Sequence, residues 1–376
     1  MILLANIGSA SKKYALAFEE AGELRVRVVA HYEASVLPAE AYARAHRIFI
    51  DALAGKGYDA KDIDTVLVRI VAPGRYFQEH RVIDAEYFVK LVEAEHVAPL
   101  HLHAQHEELV RLQEMLPHTQ FVGISDTAFH ATIPEHVARY AIPRSDADTY
   151  GIRKFGYHGL AISSALTRAA TLYHSRLSRV IVCHLGGGGS VTAIRDGKSV
   201  DTSMGTTPLD GLIMATRVGA VDPGAVLTLM EAKGMSPAEM RAYLNTESGL
   251  KGLGGSDDIR ELLIREAHGD MIAKEALDAY VYRVRHYSGG AMATLGGVDL
   301  LILSGTVSER SATMRSRILS SLHGLGIALD ATHNIQHADN QHDALLSTVE
   351  STTKIAVVHI NEYEAMLDAW QKFEKN

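Results

Sequence analysis

Two arginines in this sequence occupy places where a cation is costly. Arg69 interrupts the apolar run TVLVRIV (65–71), and a guanidinium there needs a pocket or a partner anion. Arg217 is the lone cation of DTSMGTTPLDGLIMATRVGAVDPG (201–224), a glycine- and hydroxyl-rich segment that also holds Asp201 and Pro208. Its planar fork of donors matches carboxylate or phosphate oxygens, and a structural ion pair with Asp222 is the alternative use. Asp126 follows the apolar run QFVGI (120–124), which sets it at the carboxyl end of a strand, where α/β proteins place ligands, or at a helix N-cap. Two strand-to-turn junctions, NIGSASKK (6–13) and HLGGGGS (184–190), reverse the chain on small residues. Successive backbone N–H groups at such turns form anion-binding concavities, though glycine also serves simple hairpins. Finding the device twice points to phosphate. No GxxxxGK[ST] and no GxGxxG between a strand and a helix is present, so phosphate handling takes another form. A third cluster, His101, His103 and His106 with Glu107 and Glu108, raises a zinc hypothesis, against the background of 20 histidines in the chain.

The elements that must hold these residues are legible as runs. Strands are predicted at 1–6, 12–18, 24–30, 65–71 and 120–124, with helices at 38–53, 84–95 and 107–115. The second half opens in the same way: VIVCHL (180–185), a glycine turn, SVTAIR, an Asp-Gly turn and KSVDTSM. The paired turns lie about 175 residues apart, so a duplicated α/β domain is the economical reading. Helix starts are marked by Asp222-Pro223, by the capping box Ser236–Glu239, by Asp258 and by Asp270. A helix is also expected over 309–322, a buried strand at 298–304, and a final strand at 355–360 leading into a helix capped at Asn361. The length of 376 residues suits two large domains, and the net charge of −8 offers no global attraction to nucleic acid or an anionic membrane. One cysteine excludes a disulfide framework or thiolate zinc site. No apolar run approaches the roughly 18 residues of a membrane helix, and the six-residue opening run lacks a signal peptide's basic segment. A cytoplasmic enzyme or binding protein is therefore expected.

In this order the motifs resemble the acetate kinase family, in the superfamily of actin-like ATPases and sugar kinases. NIGSASKK is similar to its first phosphate turn, VRIV (68–71) to its arginine strand, APLH (98–101) to its substrate-side loop and DTAFHATIP (126–134) to its aspartate segment. YGIRKFGYHG (150–159), the long run 184–223, SDDIREL (256–262), LSGTVSERS (303–311) and INEYEAM (360–366) complete the series. The resemblance implies α/β architecture with duplicated ribonuclease-H-like domains and a central cleft, 1–127 with 362–376 forming one domain and 128–361 the other. It implies transfer of a phosphoryl group to acetate or another short carboxylate, with Mg2+, ATP as donor and pyrophosphate as the rival donor. A non-catalytic nucleotide or acyl-phosphate binder is the alternative from another class. Arg69 and Arg217 would hold carboxylate and phosphoryl group, Asp126 the acyl carboxylate or the Mg2+ shell, and His158 the phosphoryl oxygens. Asn6 and Glu362 would order the metal. Val71, Leu100, Tyr157 and Pro208 would line the acyl pocket. Ser9, Ser11, Lys13, His184, Gly186, Gly188, Asp258, Arg260, Thr306 and Ser308 would contact the donor. A homodimer is implied too, with the helix 270–294 and the second domain as its interface.

Departures from the family pattern are concentrated. Gly187 replaces an asparagine, Thr306 and Ser308 replace glycines of the adenosine turn, Ala72-Pro73 replaces a His-Gly pair, and Thr206 replaces a phenylalanine. Weakened recognition of adenosine is expected from these changes.

Overall fold

The computed structural model describes residues 1–7, 11–20, 23–33, 53–55, 57–173, 178–337 and 342–375. The chain divides into two compact units, Met1–Ala128 with Asn361–Asn376, and Phe129–Ile360.

In the first unit, β1 (Ile2–Ile7), β2 (Ser11–Glu20), β3 (Glu23–Glu33), β4 (Thr65–Ile70), β5 (Arg81–Val82) and β6 (Gln120–Ser125) form one sheet of order β3-β2-β1-β4-β6-β5. The first three strands make an antiparallel meander, whereas β4 runs parallel to β1 and β6 parallel to β4. Parallel strands are covered on both faces and read as continuous apolar runs; accordingly all six residues of β1 are buried. Leu3, Ala5, Ile7, Val66, Val68 and Ile70 pack with Leu91, Leu102, Leu109 and Leu112 from the helices Ala85–Glu95 and Pro99–Met115. Asp84 caps the first of these by accepting from Tyr87 N–H at 2.9 Å. The C-terminal helix Glu362–Glu374 packs across β1, β4 and β6 and buries Ala365, Met366 and Leu367.

The second unit repeats the plan. β7 (Arg179–Leu185), β8 (Gly189–Arg195) and β9 (Lys198–Thr202) form the meander, then β10 (Leu300–Ser304), β11 (Ala344–Leu345) and β12 (Lys354–Val357) complete a sheet of order β11-β12-β10-β7-β8-β9. β10 is parallel to β7 and β12 to β10, and the sixth strand is antiparallel, as in the first unit. The period of two sorts the core: Leu301, Leu303, Ile355 and Val357 pack with Leu277, Tyr280 and Val284 of the 25-residue helix Met271–Leu295, whereas Leu300, Ile302 and Ala356 pack with Ile162, Ala165 and Ala169 of the helix Gly159–Leu172. Helix starts at Pro223, Pro237, Ile259 and Met271 carry the expected caps, including the Ser236–Glu239 capping box.

Three local expectations change. The segment 98–101 is not a loop, because the helix to Met115 begins at Pro99, a residue suited to a first turn. The helix expected from Glu309 begins at Thr306 and breaks at Ser311, whose extended backbone and hydroxyl cap a second helix, Ala312–Leu319; a 3-10 turn, Ser320–Leu325, follows. The helical pattern at 38–53 lies outside the described residues except for Leu53. Among the described residues no helix is long and apolar enough to cross a membrane.

Gly123 in β6 is a packing constraint close to Asp126: a Cβ there would lie 2.3 Å from the Tyr87 Oη. Gly123→Ala is expected to destabilise the protein by about 1–3 kcal/mol through overpacking, read as a lower urea midpoint. An unchanged midpoint would show that Tyr87 moves aside freely.

Candidate functional site

In the first unit, β1, β4 and β6 are parallel neighbours, so their carboxyl ends emerge together. Asn6 stands near the end of β1, Arg69 near the end of β4, and Asp126 directly after β6, where its N–H donates to the Ile70 carbonyl at 2.9 Å. The C-terminal helix adds Glu362 in its first turn, with Asn361 as N-cap accepting from Tyr363 and Glu364 N–H. Arg69 donates from Nη2 to Asp126 Oδ2 at 3.0 Å and from Nη1 to Asn6 Oδ1 at 3.1 Å, and Nη1 also lies 3.0 Å from Glu362 Oε1. Asn6 Nδ2 donates to Glu362 Oε2 at 2.6 Å. Asp126 is fully buried. Burial alone would lower the Arg69 pKa, but Asp126 and Glu362 outweigh it and carry it above its ordinary value. Lys13, opposite Asn6 in the β1–β2 register, makes no ion pair among the described residues.

Two carboxylates against one guanidinium leave a net charge of about −1, and the atoms of Asn6, Asp126 and Glu362 able to ligate a metal are oxygens. Such a set fits Mg2+, which takes one or two protein carboxylates and keeps its remaining positions for water and phosphate oxygens. Among the described residues no group of three or more His, Cys, Asp or Glu is arranged to hold a metal ion by itself.

In the second unit, His184 near the end of β7 and the turn Gly186–Gly188 face His158 and Arg217. The His158 and His184 rings meet edge to face at 4.8 Å between centroids. His158 Nδ1 lies 3.1 Å from Ser190 Oγ, and His184 Nδ1 lies 3.2 Å from Ser304 Oγ. A Cβ on Gly188 would come within 3.3 Å of His158 Nε2 and 3.4 Å of an Arg217 Nη, so glycine leaves both groups uncovered. His158 has φ of 65°, a left-handed conformation rare for a residue with a side chain. Arg217 donates to the Pro208 carbonyl at 3.3 Å and to Met214 Sδ at 3.8 Å. It has no acidic partner among the described residues: Asp222 caps the helix at Pro223 instead, and burial alone lowers the Arg217 pKa. The guanidinium stays cationic at neutral pH.

Beside it, Thr206 is held on three sides. Its N–H donates to Tyr140 Oη at 3.1 Å, its carbonyl accepts from Tyr157 Oη at 2.5 Å, and its hydroxyl donates to the Arg153 carbonyl at 2.9 Å. Thr306 opens a short helix, Thr306–Arg310, after Gly305 at φ of 82°, where a Cβ would strike the Leu185 carbonyl at 2.6 Å. Thr306 and Ser308 are helical, so their backbone needs no glycine. Only side-chain volume therefore separates this turn from a glycine-rich one. Among the described residues the Ser308 hydroxyl is buried without a partner, and a Cβ at Gly187 would meet open space.

Other candidates make contacts of their own. Asp258 and Arg260 bond each other at 2.6 Å on the exposed start of their helix, which holds the Asp258 carboxyl below its ordinary pKa. Val71 is half-buried just past β4. Ser9 and the side chains of Ser11, Leu100 and His101 lie outside the described residues. The remaining histidines of the motif turn to Glu95, with His103 Nδ1 at 2.8 Å and His106 Nδ1 at 3.5 Å. Sequence reasoning missed Ser190, Ser304, Gln105 and the fully buried Arg315, which fastens the Thr306–Arg310 turn by donating to the Ser308 and Glu309 carbonyls at 2.7 and 3.1 Å. Ser190 and Ser304 sit beside the glycine turn and at the end of β10, a position that could have drawn attention; Gln105, inside the histidine motif, and Arg315, inside the helical pattern at 309–322, carry no local signal.

Two sheets of one strand order, each presenting polar residues at the ends of its parallel strands, define a duplicated α/β protein of the actin-like ATPase class. The acetokinase family model matches residues 15–368, and the chain belongs to that family. It is 35% identical over 385 residues to the acetate kinase of Thermotoga maritima, covering 96% of this chain and 95% of that one. Among solved structures it is similar to a propionate kinase from Francisella tularensis (33% identity, TM-score 0.86) and to the acetate kinase of Porphyromonas gingivalis (32%, TM-score 0.83), each covering 98% of both chains.

The left-handed His158 yields a test that separates side chain from backbone. His158→Gly and His158→Ala both lose the imidazole, but Gly relieves a conformational cost of about 1–2 kcal/mol. His158→Gly is therefore expected to unfold at higher urea than His158→Ala while both lose activity. Equal midpoints would mean that the left-handed backbone relaxes without the imidazole.

Proposed function

We propose that this chain transfers a phosphoryl group reversibly between ATP and acetate, or another short carboxylate, forming acetyl phosphate with Mg2+. The observation that carries the reading is Arg217, a largely buried cation beside a glycine turn with no acid to neutralise it among the described residues. Such a group is built to receive an anion. In the forward direction a carboxylate oxygen attacks the terminal phosphorus, a P–O bond forms, and the bond to the bridging oxygen breaks, leaving ADP. The acceptor is already ionised at neutral pH, so no general base is required. Catalysis then rests on positioning and charge neutralisation.

Arg217 and His158 bind the phosphoryl oxygens in this reading, and Arg69 orients the carboxylate, itself oriented by Asp126 and Asn6. Asn6 and Glu362, with Asp126 behind them, would hold Mg2+, which would neutralise charge on the donor phosphates. Lys13, with Ser9, Ser11, His184, Gly186 and Gly188, serves the donor phosphates. Asp258 and Arg260 serve the nucleoside end, together with Thr306 and Ser308. Val71, Leu100, Tyr157 and Pro208 limit the acyl tail.

Pyrophosphate is the second donor considered, because Thr306 adds volume at the nucleoside turn and no side chain at Gly187 reaches the donor. Trapping acetyl phosphate as its hydroxamate, with ATP, GTP and pyrophosphate in parallel, is expected to give rates within about a hundredfold of one another. A larger preference for ATP would show that the altered turn still reads adenine, and no hydroxamate with any donor would overturn the function. In the same assay Arg69→Ala and Arg217→Ala are each expected to lower kcat/KM by about 10² to 10³ with circular dichroism unchanged. A folded variant that loses less than about tenfold would remove that arginine from the mechanism.

The chain also works as a homodimer in this reading. Gly289 and Gly290 sit within the helix Met271–Leu295, where a Cβ at either would meet open space. Glycine inside a helix costs about 0.5–1 kcal/mol relative to alanine, and nothing among the described residues requires it. Close approach of a second copy would. Sedimentation equilibrium at micromolar concentration is expected to give twice the monomer mass, and Gly290→Gln to shift it toward monomer. A monomer for the unmodified protein would sink the idea.

A further inference from the structure

The histidine-rich motif on the helix Pro99–Met115 holds no metal cluster among the described residues, yet its inward face carries two deeply buried polar side chains. Gln105 is 2% exposed and Glu108 1%. β1 and β4 pair only as far as Ala5 and Val68, and Gln105 bridges the strand ends beyond that point. Its Oε1 accepts from the Val71 N–H at 3.1 Å, and its Nε2 donates to the Ile7 carbonyl at 3.2 Å. One amide orientation alone satisfies both, since an N–H needs an acceptor and a carbonyl a donor. Glu108, on the next turn of the helix, accepts from Tyr14 Oη at 2.5 Å and pairs with the buried Lys12 of β2. One helix face thus fastens the end of β1, the start of β2 and the chain just past Arg69. These segments include Ile7, Lys12 and Val71.

We propose that Gln105 is a positioning residue, which couples the placement of Asn6 and Ile7 at the end of β1 to that of the acyl-contacting Val71. The inference rests on the function proposed above. Without the amide, two buried backbone groups lose their partner, and the strand ends on either side of the Asn6–Arg69 contact become free to separate. A misplacement of about 1 Å far from the chemistry can cost about a hundredfold in rate.

Gln105→Met keeps the volume and removes both polar arms. Gln105→Glu keeps the acceptor for Val71 but sets a second acceptor against the Ile7 carbonyl. In the hydroxamate assay, Gln105→Met is expected to lower kcat/KM for acetate at least about tenfold and to change the acetate-to-propionate ratio. Gln105→Glu is expected to raise KM for the donor more than KM for the acid. A purely structural role would lower the melting temperature and the active fraction while leaving acid selectivity and the balance of KM values as in the unmodified enzyme. Folded variants with those ratios within about twofold of the unmodified enzyme would overturn the proposal. Should both variants fail to fold, hydrogen exchange in the unmodified protein decides: slow exchange at the Val71 amide is expected, and exchange at the rate of an exposed loop overturns it. An unmodified enzyme that forms no hydroxamate would overturn the proposed function itself, whereas an active enzyme with unaltered ratios overturns the role of Gln105 alone.

Discussion

The first unit is organised by one charged contact, the Arg69 guanidinium held by Asp126, Glu362 and the Asn6 amide. A guanidinium this enclosed is costly unless anions meet it, and oxygens of Asp126, Glu362 and Asn6 take its two terminal nitrogens, while Nε is buried without a partner among the described residues. Each partner comes from a different element, so the contact exists only if β1, β4 and β6 lie side by side and the C-terminal helix returns to the sheet. The apolar face of that helix, with Ala365, Met366 and Leu367 buried, delivers Glu362 to the strand ends. Packing and electrostatics therefore constrain the same arrangement.

The second unit treats its arginine in the opposite way. Arg217 has a similar setting, near a glycine turn at the end of the sheet's parallel strands, but it meets a carbonyl and a thioether rather than carboxylates. Arg69 is thus compensated by two carboxylates, whereas Arg217 has no acidic partner among the described residues. Duplicated topology thus carries two different electrostatic solutions. Surrounding residues maintain that difference: Gly188 leaves the guanidinium uncovered, and the left-handed His158 turns its ring toward His184.

Buried polar side chains connect these centres to their scaffold. Gln105 and Glu108 fasten strand ends in the first unit, and Arg315 fastens the Thr306–Arg310 turn in the second. None of them reaches a reacting group, yet each satisfies backbone or side-chain polar atoms that would otherwise be stranded, and a stranded buried group is a larger loss than a typical hydrogen bond is a gain.

Strands, turns and motif order were legible in the sequence, because apolar periodicity, glycine and helix caps act within a few residues. The runs at 1–6, 65–71, 180–185 and 298–304, the capping box at Ser236 and the end-to-end motif series of the acetokinase family needed nothing else. Partnership was not legible. Asn6 and Glu362 are 356 positions apart, and Arg69 lies 57 from Asp126; strand order, which no local pattern encodes, decides such contacts. For the same reason the neighbouring Asp222 did not become the partner of Arg217, and a sequence cluster that suggested zinc became a surface pair of histidines on Glu95 with a buried brace beneath. The tertiary structure also made Thr306 and Ser308 helical, since the left-handed turn that the chain requires falls on Gly305, where the Leu185 carbonyl leaves no room for a side chain.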